Sequence, residues 1–231
     1  MSTDHVLKLE NANLRNESYA GRVLAQFVSV GSKFTKCDFR NIKVMQACFG
    51  GGQVDSIYIE CVFDGSQICA KAPGFAVFER CSFENVVFIE LNCRNVEFID
   101  CKFSGEIRKG FFNGTTSNEA RNALQRHSNR FRGNNFQHSK LGDVAFRTGI
   151  DLTQQILPIG EEYLYLLDPE TTITHARMVR EKLTEEEKAS LDVLLKLFER
   201  DIALGQKQLF FNVGAFPLKI QRAFEVIRRM R

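Results

Sequence analysis

The stretch IECVFDGSQICAKAPGFAVFERCSFENVVFIELNCRNVEFIDCKF, residues 59–103, decides the fold. Cys-x-Phe stands at 61–63, returns at 81–83 and returns again at 101–103. Inside this frame a shorter beat runs. Phe78, Phe83, Phe88, Cys93, Phe98 and Phe103 follow at intervals of five, and Ala76, Cys81, Val86, Leu91, Val96 and Cys101 stand two before each. A period of five fits neither the helix nor the long strand. Residues two apart do share one face of a short strand. The others, including Glu79, Arg80, Glu84, Asn85, Arg94, Asn95, Asp100 and Lys102, are polar and left to turn the chain. Four such sides close a square coil, which returns the same residue types every fourth unit. Coils of this kind stack at strand spacing, about 4.8 Å. Phe rings then fill the axis, with small Cys, Ala or Val beside them. The 21 Phe and the absence of Trp fit so narrow a core.

The beat extends beyond this stretch. Phe34, Phe39, Val44, Phe49 and Val54 step by five, with Ser32, Cys37, Ile42, Ala47 and Gly52 two before each. Ala12 and Leu14 hold the same relation near the start. Phe131, Phe136, Leu141 and Phe146 resume it, preceded by Asn134, Ser139 and Val144. The phase slips between Val54 and Phe63, next to Gly50-Gly51-Gly52, and Pro73 falls where an apolar centre is due. Both places read as bulges or short loops leaving the coil.

These units resemble those of pentapeptide-repeat proteins, whose consensus is Ala-Asp/Asn-Leu/Phe-x-x. The resemblance covers roughly residues 7–107 and 129–151. It implies a mainly β fold, a right-handed quadrilateral β-helix. The competing reading, a sandwich of Phe-rich strands, does not account for the stacked twenty-residue spacing. The solenoid is expected over residues 1–152, with a helical insertion at about 108–128 where the beat is lost. Thr116 and Glu119 have capping-box spacing there. Ala120, Ala123 and Leu124 share one face of the helix that would follow.

Residues 153–231 form a different region, a strand followed by helices. EYLYLL at 162–167 reads as a strand. Asp168 and Pro169 suit N-cap and first helical position. Thr184 and Glu187 form a second capping box, followed by a stripe of Leu191, Leu194, Leu195, Phe198 and Ile202 that Gly205 ends. A last helix begins near Pro217. A solenoid's open end needs a cap, which this region can supply. Similarity to the DNA-gyrase-protecting members, which dimerise through C-terminal helices, implies a homodimer here through the face of Ile220, Phe224 and Ile227.

No catalytic constellation is found, and the chain is read as non-enzymatic, without cofactor or metal. His5, His127, His138 and His175 are scattered. The seven Cys lie between Cys37 and Cys101 with no CxxC pair, so core packing is favoured over a metal ribbon or a disulfide framework. A polar N-terminus and the lack of any membrane-length apolar run suggest a cytoplasmic protein with no membrane partner. Residues 1–110 carry 13 acidic and 13 basic side chains, residues 111–160 carry 3 and 6, and residues 161–231 carry 12 of each. Two basic groups stand out as candidate partner sites: Arg121, Arg126, Arg130 and Arg132 in and after the insertion, and Lys219, Arg222, Arg228 and Arg229, with Arg231, near the end. Either could meet nucleic-acid phosphates. The leading expectation is a scaffold for an unidentified protein partner. The resemblance puts type II topoisomerase among the candidates. Topoisomerase-protecting members present strongly negative, DNA-like rods, and the balanced charge of residues 1–110 weakens that analogy.

Overall fold

Two parallel sheets wind around a common axis in this computed structural model, which describes residues 4–230. The larger stacks β1 (Asp4–Glu10), β3 (Val23–Val30), β5 (Lys43–Gly51), β7 (Gln67–Ala70), β9 (Ser82–Cys93), β11 (Lys102–Asn113) and β13 (Asn135–Arg147) in that order. The smaller stacks β2 (Asn13–Arg15), β4 (Lys33–Thr35), β6 (Ser56–Ile59), β8 (Ala76–Glu79), β10 (Val96–Ile99) and β12 (Phe131–Arg132). Single bridges from Ser18 to Asp38, Val62 and Ser82 make a further wall. The result is a β-solenoid of about 5 turns.

The five-residue beat is the inward set of this coil. One turn buries Phe34, Phe39, Val44 and Phe49; the next buries Tyr58, Phe63, Ile68 and Pro73. Rings stack in columns: Phe39 to Phe63 at 4.8 Å, Phe63 to Phe83 at 4.9 Å and Phe83 to Phe103 at 5.0 Å, with interplanar angles of 5–12°. These spacings are the coil repeat itself. Several corners turn through the left-handed region. One column is Asn16, Lys36, Glu60, Arg80 and Asp100, with φ between 51° and 56°. Left-handed backbone costs a side-chain-bearing residue about 1 kcal/mol, which the ladder bonds and stacked core of each coil must offset.

Three expectations need correction. Gly52 and Val54 do not continue the inward series; both are exposed. The chain loops out around them, and Tyr58 takes the axial slot over Phe34. Pro73 does not leave the coil. It is buried in line with Phe49 and Cys93. It sits past the end of β7 at Ala70 and before the Gly50–Gly74 bridge, where no ladder bond calls for the N–H that proline lacks. The beat is not lost after Phe103 either. β11 runs on to Asn113 and buries Ile107 and Phe112, and Phe112 stacks on Phe146 at 5.3 Å. A register shift next to Gly105, φ +88°, removes one residue and hides the continuation from a count by fives.

The insertion is therefore shorter than expected, lying between Asn113 and Phe131 around α1 (Asn118–Leu124). Its N-cap is Ser117, whose hydroxyl accepts from the Ala120 amide; Thr116 instead donates its hydroxyl to the Arg126 carbonyl at 2.7 Å.

The cysteines in the column before each Phe do more than fill space. Cys61, Cys81 and Cys101 each aim Sγ at a carbonyl of the preceding coil, those of Phe34, Tyr58 and Phe78, at 3.4–3.6 Å. Ser66 and Asn134 occupy the same kind of slot and donate to Phe39 and Phe98 carbonyls at 3.0 and 2.9 Å. A thiol is the weaker donor, but it leaves no buried oxygen to satisfy.

Coils come closest at Gly50. A Cβ there would stand 1.7 Å from the Phe75 carbonyl oxygen, and the Phe75 amide donates to Gly50 at 2.6 Å. Gly50→Ala must push two backbones apart. Its expected cost is ~2–3 kcal/mol, seen as a lower urea midpoint at unchanged slope; an unchanged midpoint would refute the close approach.

The C-terminal region consists of β14 (Tyr163–Leu166), α2 (Pro169–Arg180), α3 (Glu185–Ala203), β15 (Leu209–Asn212) and α4 (Leu218–Arg229). Asp168 caps α2, and Thr184 with Glu187 forms the capping box of α3. β14 and β15 pair antiparallel over the last coil. Strand alternation then serves two cores. Tyr163, Tyr165 and Phe210 face the coil, whereas Leu164, Leu166, Leu209 and Phe211 face the helices. Phe210 meets Phe146 at 6.1 Å, and Asn212 donates to the Leu141 carbonyl at 2.7 Å. Buried Gln206 joins Ile150 in both directions. The coil itself still bonds Ile156 to Asn134 and Phe136, so the expected border at 152/153 falls inside its last turn.

Candidate interaction surface

Four of the eight candidate basic side chains are ion-paired within the chain, two of them, Arg130 and Arg222, while still exposed. Glu97 points outward from β10 yet is 1 % exposed, covered by the insertion. Arg130 meets it at 2.6 Å and Arg126 at 3.5 Å. Arg126 also reaches Asp55 at 3.0 Å and donates to the Asn95 carbonyl at 3.1 Å. Burial raises the Asp55 pKa, and Arg126 opposes that rise. In the tail, Arg222 meets Glu186 at 3.3 Å and Arg228 meets Glu225 at 2.6 Å. Arg121, Arg132, Lys219 and Arg229 are exposed. The insertion group is anchored on β10 and the tail group on α3 and β14, so no single basic surface unites them. Arg231 lies outside the described residues.

The candidate dimer face is also spent internally. Phe224 and Ile227 are 0 % exposed in the chain's own C-terminal core, and Ile220 packs partly against it. Phe224 meets Phe211 at 5.6 Å and Phe216 at 5.0 Å. The amphipathic stripe of α4 covers α3 and β15, and these three side chains are not offered to a partner.

A different surface stands out, on the outside of the larger sheet. Its outward slots read Ala25, Gln26 and Val28, then Met45, Gln46 and Cys48, then Cys69, Lys71 and Ala72, then Ile89 and Glu90. Met45 is 69 % exposed. A groove of about 620 Å³ runs through this patch, with Lys71 and Glu90, paired at 3.0 Å, on its rim. Its origin is local. β5 and β7 pair at Lys43–Gln67 and Val44–Ile68 and meet again at Gly50–Gly74. Between these points β5 turns out Met45 and Gln46 before burying Ala47. β7 buries Ala70 first and turns out Lys71 and Ala72 afterwards. The two corners fall out of step, and the walls part. A second groove of about 550 Å³ shares Lys71 and Ala72 with the first and continues past Gly50–Gly52 to Arg94 and Phe111. Contiguous apolar surface of this kind marks interaction sites.

The groove holds two half-buried thiols, Cys48 and Cys69; the other five are buried. Burial pushes the Cys37, Cys81 and Cys93 thiols up. A thiol reagent under native conditions is therefore expected to modify two cysteines quickly and five only on unfolding. Rapid modification of all seven would contradict the packing described.

The corner column of Lys36, Glu60, Arg80 and Asp100 alternates in sign, with Lys36–Glu60 at 3.4 Å and Glu60–Arg80 at 3.2 Å. That edge carries no continuous negative stripe. Among the described residues no group of three or more His, Cys, Asp or Glu gathers as a metal site, and no helix is long and apolar enough to cross a membrane.

Comparison with known families agrees with the geometry. Residues 74–105 match the family model described as pentapeptide repeats (8 copies). The fold agrees with this match, which supports a pentapeptide-repeat β-helix. No curated protein and no solved structure matches it.

Proposed function

We propose that the chain is a non-catalytic repeat scaffold that binds a protein partner through the largely apolar outer face around Met45, Cys48, Cys69 and Ile89. The observation that carries this reading is the groove itself: an apolar patch on a wall that otherwise presents polar residues. Protein interfaces have cores depleted in charge, and this face has that composition. A type II topoisomerase is the partner class suggested by the resemblance. The alternating corner column favours docking by shape and apolar contact over mimicry of DNA. The nucleic-acid alternative is weakened because Arg126 and Arg228 are held within the chain and the insertion and tail groups do not form one basic surface.

The test is a pull-down from native-source lysate with nuclease, comparing wild type with Met45→Lys. Met45 is exposed, so the substitution should change stability by less than ~0.5 kcal/mol. A protein partner that survives nuclease and is lost with Met45→Lys supports the proposal. Partners that vanish with nuclease would transfer the weight to nucleic acid. Purified topoisomerase, assayed for supercoiling with each form, tests that partner class separately.

A further inference from the structure

The two grooves share Lys71 and Ala72 and so form one channel along the outer wall. The channel crosses five successive coils, from Val28 on β3 through Cys48, Ala72 and Asn92 to Phe111 on β11. Four coil steps of about 4.8 Å give roughly 19 Å, the length of about six residues of extended chain. The two halves differ in charge. In the half around Met45 the charged lining residues are Lys71 and Glu90, which pair with each other at 3.0 Å. In the other half Arg94 lines the channel, and Arg147 stands over the Phe111 ring at 5.4 Å. Both arginines are exposed, and among the described residues neither has an ion pair. Glu119 is the one acidic lining residue unique to this half, so cations outnumber anions two to one there. Where the halves join, β5 and β7 share no ladder pair between Val44–Ile68 and Gly50–Gly74. The amides of Lys71 and Ala72, at this junction, donate to no protein acceptor among the described residues.

We propose that the channel takes an extended segment of about six residues from the partner protein, apolar over Met45 and carrying an Asp or Glu side chain against Arg94. This rests on the docking face proposed above and adds the chemistry and direction of its occupant. The apolar half accepts uncharged side chains without separating an ion pair, since its two charges already satisfy each other. The other half offers unpaired guanidinium groups, and a carboxylate is the side chain that matches them in charge and shape. The free junction amides favour extended chain over a helix. Main-chain carbonyls of an extended segment can accept from them, whereas those of a helix are already bonded within the helix.

The test is selection from a pool of random hexapeptides, amidated at the C-terminus, on the immobilised full chain. Six residues are too few to hold a helix in water, so peptides retained from this pool bind extended. Wild type should retain peptides that are apolar toward one end and carry Asp or Glu toward the other. Arg94→Glu should keep the apolar preference and exchange the acid for Lys or Arg. Replacing the acid of a selected peptide by Lys should weaken its binding to wild type about ten-fold. Arg94 is exposed and unpaired, so circular dichroism of Arg94→Glu should match wild type. A wild-type pool without acidic enrichment would overturn the inference, as would an acidic preference that survives Arg94→Glu. If the lysate partner is still lost with Met45→Lys in either of those cases, the docking face stands and only the inferred occupant fails. A wild-type pool no different from that of Met45→Lys, with the lysate partner also unaffected by that substitution, would remove the docking face itself and the inference with it.

Discussion

Phe83→Asp should abolish the cooperative thermal transition. Phe83 is 1 % exposed and lies between the stacked rings of Phe63 and Phe103, at 4.9 and 5.0 Å, with Phe78 edge-on at 5.4 Å. Removing the ring alone costs ~3–5 kcal/mol. A carboxylate in its place adds a desolvation penalty that no neighbour offsets. The sum rivals the ~5–15 kcal/mol stability of an ordinary domain. In a solenoid the damage spreads, because each coil is stabilised by its neighbours. Phe83→Leu is the control, and should keep a cooperative melt with a loss of roughly 1–3 kcal/mol. Circular dichroism at rising temperature checks both. A cooperative melt of Phe83→Asp at the wild-type midpoint would refute the stacked axis.

Glu97→Ala should cost ~3 kcal/mol, although Glu97 sits on the outside of its sheet. The carboxylate is buried and accepts from the Arg130 amide and side chain at 3.0 and 2.7 Å, with Arg126 at 3.5 Å. Its removal leaves Arg126 facing Asp55 alone in a site where little water reaches. Breaking one partner out of a buried pair is the expensive change. Glu97→Gln keeps an acceptor for the Arg130 amide and should cost less, ~1–2 kcal/mol. Arg121→Ala and Arg132→Ala, at exposed positions, should stay within ~0.5 kcal/mol. Urea titration of the four variants gives the order. A Glu97→Ala midpoint equal to that of Arg121→Ala would show that the insertion is not anchored there.

The axis is legible in the sequence because each inward slot has a fixed interval and a narrow size requirement. Phe78, Phe83, Phe88, Phe98 and Phe103 can be placed by counting, and each is buried. Counting fails where coil length changes. The loop around Val54 and the single residue lost beside Gly105 shift the phase without changing the residue types. A count by fives therefore puts Ile107 and Phe112 outside the beat, although both lie on the axis. The α4 stripe is visible, but an apolar helix face does not say whether it covers its own chain or another. The basic residues of the insertion are visible as well. Their carboxylate partners Asp55 and Glu97 lie far away in sequence and meet them only through the winding of the coil. The groove does carry a signal: apolar Val28, Met45, Cys48, Cys69, Ala72 and Ile89 stand at slots that are polar elsewhere. Its shape, set by two corners out of step, needs the structure.

The measurement that tests the interaction surface most directly is thiol labelling of Cys48 and Cys69 before and after incubation with nuclease-treated native-source lysate. Both thiols line the groove, so a bound partner should slow their modification in wild type and leave it unchanged in Met45→Lys. Equal labelling rates in wild type with and without lysate, under conditions where a partner co-purifies, would mean that the partner binds elsewhere and that this face is not the docking site.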